Sequence, residues 1–246
     1  MLKLFLGLLS LQFFLLSCLN NEYSSKNIIA ISITTKIPER IVDNKGVFII
    51  IDFYIFYNKE YIIYKLPYHK TYESDNKLIY DSLKYEFFVY KYNNKNGYLL
   101  KNANDSFRMQ INKDSILKAR AYGSNWDISE TFKEVKIKGL NKLQNDSKQF
   151  IYKYIFENDI YDSAYFYYNN DLKNIRFTLS KSLDSTYNSK LYKTEFFLKH
   201  KSLSYGVELK DFYINSLEIK KIPFSNENDI INIFERINIH EKLKNK

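Results

Sequence analysis

The feature that most limits how this chain can fold is the segment Val47 to Tyr57, VFIIIDFYIFY, a nearly continuous run of bulky apolar and aromatic side chains. Its β-branched and aromatic make-up marks a strand. Successive side chains of a strand point to opposite faces, so this run loads both faces with apolar surface. Tyr85 to Tyr92 (YEFFVYKY) does the same. A sheet made of such strands needs cover on both sides, either from protein or with one face lining a cavity for an apolar ligand.

The neighbouring segments extend this sheet. Asn27 to Lys36 alternates in its second half, and Glu60 to Leu66 (EYIIYKL) follows Tyr57 after only Asn58-Lys59, which predicts a tight hairpin. Tyr98 to Lys101 follows Tyr92 after NNKNG, where Gly97 is expected to supply a positive φ for a second hairpin. Shorter strands are expected at Phe107 to Ile111 and Ile116 to Ala121. Asn125 to Ser147 breaks the pattern and reads as a loop leading to a short helix or irregular strand that ends near Gly139. Strands resume at Gln149 to Glu157, Ser163 to Tyr168, Leu191 to His200 and Phe212 to Ile222, with one helical turn at Ser180 to Ser185.

Asn226 to Lys244 is the clear helix. Ile230, Ile233, Phe234 and Ile237 recur at helical spacing, Ser225 and Asn226 are cap candidates, acids occupy the first turn and lysines the last. The expected fold class is therefore α+β: mostly antiparallel sheet, as a meander or a sandwich-like arrangement, with a C-terminal amphipathic helix. Residues 27–246 are read as a single β-rich domain.

Composition narrows the function classes. With 246 residues, 45% hydrophobic and 17% aromatic, the chain has ample surface to bury and is not a disordered polymer. The net charge of +9 is spread thinly along the chain, which suits an anionic envelope surface and does not specify nucleic acid. A single cysteine excludes an internal disulfide and any multi-cysteine metal site.

Residues 1–17 read MLKLFLGLLSLQFFLLS, with one positive charge at Lys3 and an apolar run from Leu4 to Leu16. That is a signal peptide, because the run falls well short of the roughly 20 residues a spanning helix needs and polar Asn20, Asn21 and Glu22 follow at once. Leu15-Leu16-Ser17-Cys18 resembles the lipobox of bacterial lipoproteins: a branched residue at −3, a small residue at −1, then the cysteine that is acylated. The resemblance implies that Cys18 becomes the lipid-bearing N-terminus, that residues 18–26 form a polar tether, and that the membrane is the chain's first partner. The alternative is cleavage near Cys18 by the general route. Leu19 stands where an aspartate would signal inner-membrane retention in some enteric bacteria, which favours the outer membrane.

Chemistry is sparse by comparison. His69, His200 and His240 show no metal-ligand spacing and are read as unpaired, exposed residues. No nucleophile elbow or glycine-rich phosphate loop occurs. Asp52, inside an apolar run, is read as an outward-facing residue on a solvated sheet face. No catalytic residue, metal site or cofactor is expected. The tetrapeptide Ile-Tyr-Asp-Ser occurs at Ile79 to Ser82 and at Ile160 to Ser163, which raises the question of an internal repeat. Trp126-x-Ile128 with Thr131, Lys133 and Val135 is similar to a segment of the GLPGLI family of exported proteins of unknown function, although the Gly-Leu-Pro-Gly-Leu-Ile stretch is absent. The expected role is that of a non-enzymatic envelope lipoprotein that binds an envelope protein or glycan. The alternative is a carrier or sensor of a hydrophobic ligand such as an acyl chain.

Overall fold

A computed structural model describes residues 27–42, 45–74, 77–120, 136–146, 148–157, 161–198, 213–225 and 227–244. Residues 1–26, where a signal peptide, the lipid-bearing Cys18 and a tether are expected, the Trp126 to Val135 segment and His200 lie outside the described residues.

The chain folds on one antiparallel sheet of 11 strands with the spatial order β6-β5-β4-β3-β2-β1-β11-β10-β9-β8-β7. A first meander contains β1 (Ile29–Val42), β2 (Lys45–Tyr57), β3 (Tyr61–Ser74), β4 (Lys77–Lys91), β5 (Asn96–Leu100) and β6 (Gln110–Asn112). A second contains β7 (Ile137–Asn145), β8 (Gln149–Phe156), β9 (Tyr161–Asn169), β10 (Lys190–Leu198) and β11 (Tyr213–Ile222). They meet where β1 pairs with β11, from Ala30 opposite Ile222 to Lys36 opposite Ser216. Among the described residues three α-helices complete the fold: α1 (Lys113–Arg120), α2 (Lys181–Tyr187) and α3 (Asn228–Lys244). No described helix is long and apolar enough to cross a membrane.

From Phe53 onward β2, with the facing parts of β3 and β4, is covered on both sides, whereas Ile49 and Ile50 earlier in the same run are 45% and 60% exposed, so the cover expected over the whole run stops short of its first half. On one face lie Phe53, Ile55 and Tyr57 of β2, Ile62, Tyr64 and Leu66 of β3, and Phe88 and Tyr90 of β4, in one cluster with Ile116 and Leu117 of α1 and Tyr154, Phe166 and Tyr168 of the second meander. On the other face Phe56, Tyr61, Ile63, Phe87 and Val89 meet Ile230, Ile233, Phe234 and Ile237 of α3. The helical stripe read from the sequence is therefore the part of α3 that is buried.

The second meander buries one face only. Its outer face carries a half-buried polar row, in which Tyr167 donates to Glu195 Oε2 at 2.6 Å, and Lys193 pairs with Glu195 at 2.7 Å. Asp52 belongs to the continuation of this row on the first meander: it stands opposite Thr34, whose hydroxyl donates to it at 2.6 Å, and Thr34 in turn stands opposite Glu218. Asp52 is thus the outward-facing residue expected.

Several expectations need correction. Ile116 to Ala121 is not a strand: Lys113–Arg120 is helical, because Asn112 Oδ1 accepts the Asp114 N–H at 2.9 Å as a cap and the adjacent Ile116 and Leu117 are both buried, which strand alternation forbids on a one-sided edge. The preceding strand is only Gln110–Asn112. Gly139 does not end an irregular segment but lies inside β7, whose register shifts at Ile137/Gly139 and Lys142/Gln144 erase the alternation that would have announced a strand. Gly97 has no left-handed backbone; it sits in β5 because a Cβ there would lie 2.5 Å from the Val89 carbonyl oxygen. The first hairpin is one residue longer than expected: β3 begins at Tyr61, and Asn58 Oδ1 accepts the N–H groups of Glu60 and Tyr61 at 2.9 and 2.8 Å. Of the two Ile-Tyr-Asp-Ser segments, Ser82 shares a face with Phe88 and Tyr90, whereas Ser163 lies opposite to Ala164 and Phe166, so the tetrapeptides do not occupy equivalent positions.

Candidate functional site

The segment between β9 and β10 builds a cleft against the sheet. It leaves β9 through a 3-10 turn, Asn170–Leu172, capped by Asn169, and runs across the buried face of the sheet before entering α2. Ser180 caps α2 by accepting the Leu183 N–H at 3.1 Å, and Asn188 closes it in the left-handed conformation at φ 47°. Asp184 holds the ends of this strap together. Its Oδ2 accepts from Thr178 at 2.6 Å and pairs with Lys190 Nζ at 2.8 Å, while its Oδ1 accepts the Leu191 N–H at 2.7 Å. Lys190 also donates to the Phe177 carbonyl at 3.2 Å.

So braced, the strap touches both wings of the sheet. Phe177 meets Phe53 edge-on at 6.5 Å, and Arg176 reaches the first hairpin, where it donates to the Asn58 carbonyl at 2.8 Å. The guanidinium lies over the rings of Tyr92 at 4.6 Å and Tyr57 at 5.6 Å. At the other end Tyr187 joins an aromatic cluster with Tyr152 at 4.6 Å and Tyr168 at 4.8 Å, and its hydroxyl lies 2.9 Å from that of Tyr154.

Between strap and sheet opens a cleft of about 370 Å³. Its floor is apolar, from Ile55, Ile62 and Phe177; its wall is tyrosine, from Tyr57, Tyr64, Tyr90 and Tyr92; its rim carries Lys113, Arg176 and Lys181 with Asn93 and Thr178. Among the described residues no carboxylate lines it. Lys113 Nζ lies 5.7 Å from the Tyr90 ring centre. Burial drives the tyrosines up: Tyr64 goes well above its ordinary range, Tyr90 to about 12, and Tyr57 also rises, with Arg176 pulling it partly back. All three therefore keep their hydroxyl protons at neutral pH. The Tyr57 hydroxyl is fully buried and finds no partner in hydrogen-bonding geometry.

A second cavity of about 340 Å³ lies where the end of α3 meets β5. There the Tyr98 hydroxyl is surrounded by His240 Nε2 at 3.2 Å, Glu241 Oε1 at 3.1 Å, Gln110 Nε2 at 3.1 Å and Lys244 Nζ at 2.7 Å. His240 is not the unpaired, exposed residue expected, since it also packs edge-on against Tyr98 at 5.3 Å. This network fastens the helix end to the sheet. His69 lies in β3, and Cys18 and His200 lie outside the described residues. Among the described residues no group of three or more His, Cys, Asp or Glu side chains is arranged to hold a metal.

The residues that build the cleft were not singled out from the sequence. One signal was present: of 37 basic residues only five are arginine, and two of them, Arg176 and Arg236, combine aromatic contact with hydrogen bonds to backbone carbonyls. In a chain that otherwise uses lysine, arginine marks places where a planar, multidentate cation is required. Comparison with family models finds no match to this chain, and no curated protein matches it.

Proposed function

We propose that this chain is a lipid-anchored protein of the bacterial envelope, held in the outer membrane through Cys18, whose domain acts by binding and not by catalysis. The observation that carries the reading is the cleft beneath the strap. It combines an apolar floor, tyrosine hydroxyls and cations in one concavity, which is the make-up of a small-molecule or partner-side-chain site. None of the described residues lining it is a carboxylate or a histidine, the groups that general acid-base work at neutral pH most often uses. The interface between α3 and the sheet is filled by Ile230, Ile233, Phe234 and Ile237, which weighs against an acyl chain sheltered there. Durable anchoring needs more than one chain, as the lipobox chemistry supplies, because each buried methylene contributes only about 0.8 kcal/mol.

Two measurements test this. Cys18→Ser should abolish incorporation of labelled fatty acid and release the protein from membranes; unchanged labelling would overturn the anchor. Native mass spectrometry of the protein taken from its own envelope under mild conditions should show a reproducible added mass beyond the lipidated chain. A bare mass would remove the support for a small-molecule ligand and leave a protein or glycan partner as the object of the binding reading.

A further inference from the structure

We infer that the cleft beneath the strap is an anion site, and that its ligand is a small molecule with one carboxylate or phosphate head on a short or flat apolar body. The inference rests on reading that cleft as the binding site. Its ground is the distribution of charge around it. Lys113 comes from the start of α1, Arg176 from the strap and Lys181 from the start of α2, so three separate elements bring cations to one rim. Like charges gathered in this way repel each other, and three other half-buried or buried lysines are each answered by an acid: Lys65 with Glu227 at 2.7 Å, Lys190 with Asp184 at 2.8 Å and Lys193 with Glu195 at 2.7 Å. Among the described residues no carboxylate lines the cleft; Asp114, beside Lys113 in the chain, is felt by Tyr90 but is not part of the lining.

The rest of the cleft is suited to hold what such a head would carry. Ile55, Ile62 and Phe177 form the floor, and the stacked rings of Tyr64 and Tyr90, 6.1 Å apart and 20° from parallel, form a flat wall. Thr178 and Asn93 add neutral polar groups at the rim. The Tyr57 hydroxyl, buried without a partner, is a donor whose desolvation a ligand oxygen would offset. Arg176 is already engaged with the Asn58 carbonyl, so it frames the site while Lys113 and Lys181 are the cations left to meet the ligand. A volume of about 370 Å³ sets the size, at the small end of ordinary ligand sites and too small for a large partner.

The test uses the intact lipid-anchored protein in a non-ionic detergent, with fluorine NMR reading the binding of three probes of one shape: para-fluorophenyl phosphate, para-fluorobenzoate and para-fluorobenzyl alcohol. Both anions should bind at least about ten-fold more tightly than the alcohol, the size of effect that one charge-assisted contact gives. Which anion binds better tells phosphate from carboxylate. Inorganic phosphate alone should compete poorly, because it leaves the floor empty. Lys113→Gln combined with Lys181→Gln should remove the preference, and Lys181→Glu, a change at an exposed position, should reverse much of it without disturbing the fold.

Equal binding of alcohol and anions, or lysine variants that keep the preference, would overturn the anion assignment. If the protein from its own envelope then carries a neutral apolar molecule, the cleft remains a binding site and only this inference falls. If no probe binds and the native protein carries no added mass, the reading of the cleft as a small-molecule site falls as well.

Discussion

Lys190 and Asp184 form an ion pair of 2.8 Å beneath the strap, with side chains only 9% and 16% exposed. Removing one partner of such a pair strands the other charge in a poorly solvated place, which costs about 3 to 5 kcal/mol. Lys190→Met alone should therefore lower the urea midpoint by the equivalent of that loss, and Asp184→Leu alone should do likewise. The double variant should recover most of the stability, because an apolar pair needs no compensation. A double variant as unstable as the worse single one would show that the hydrogen bonds from Thr178 and Leu191 to Asp184 matter more than the charge pair.

Gly97 is needed for space, not for backbone freedom. A Cβ there would lie 2.5 Å from the Val89 oxygen and 2.7 Å from Tyr90 Cβ, and backbone does not move aside cheaply. Gly97→Ala should destabilise by about 1 to 3 kcal/mol, the usual size of overpacking effects. Thermal unfolding followed by near-ultraviolet circular dichroism, which reports the packed tyrosines, would check it.

Alkaline pH should unfold the protein earlier than its charge balance alone predicts. Tyr90 is raised to about 12, chiefly by burial, and burial also raises Tyr64, Tyr154 and Tyr168. Above about pH 10 the unfolded chain loses these protons while the folded chain keeps them, so stability falls as pH rises. Below pH 10 both states are protonated and the contribution is complete. Tyr90 alone accounts for about 3 kcal/mol lost between its unfolded and folded pKa. Absorbance at the tyrosinate band should stay below full ionisation until a cooperative jump coincides with loss of far-ultraviolet signal; smooth titration through pH 10 with the fold intact would contradict the burial.

Helix α3 is held by few residues. Ile233 is fully buried against the sheet, and Ile233→Ala should cost about 2 to 5 kcal/mol through lost burial and the cavity left behind. Exposed Ile239 on the same helix should tolerate alanine within about 0.5 kcal/mol. Paired denaturation curves of the two variants make the comparison.

How far the fold could be read from residues follows from where alternation survives. FYIFY at the end of the first run and FFVY within the second are covered on both faces as their bulk announces, and the four apolar positions of α3 announce one of the covers, whereas Ile49 and Ile50 stay exposed despite the same apolar pattern. The α1 helix was hidden because Ile116 and Leu117, which it buries, are adjacent and carry no period. Strand β7 was hidden by its bulges. The cleft was invisible for a different reason: Tyr57, Lys113 and Arg176 are spread over 120 residues and meet only because the strap crosses the sheet. Each is unremarkable in a chain rich in tyrosine and lysine.

The pairing of β1 with β11 puts residues from opposite ends of the described chain side by side at the middle of the sheet. Each meander pairs strands that are neighbours in sequence, but the seam between them closes only when β11 is present. Closing so large a loop is entropically costly and slow to reward, so the docking of the two halves is the step that should limit the folding rate. A chain made N-terminus first would leave this edge of β1 bare until Tyr213–Ile222 had followed. Loss of the final strand would accordingly not trim the periphery but leave two half-sheets with open edges, prone to pair with other copies.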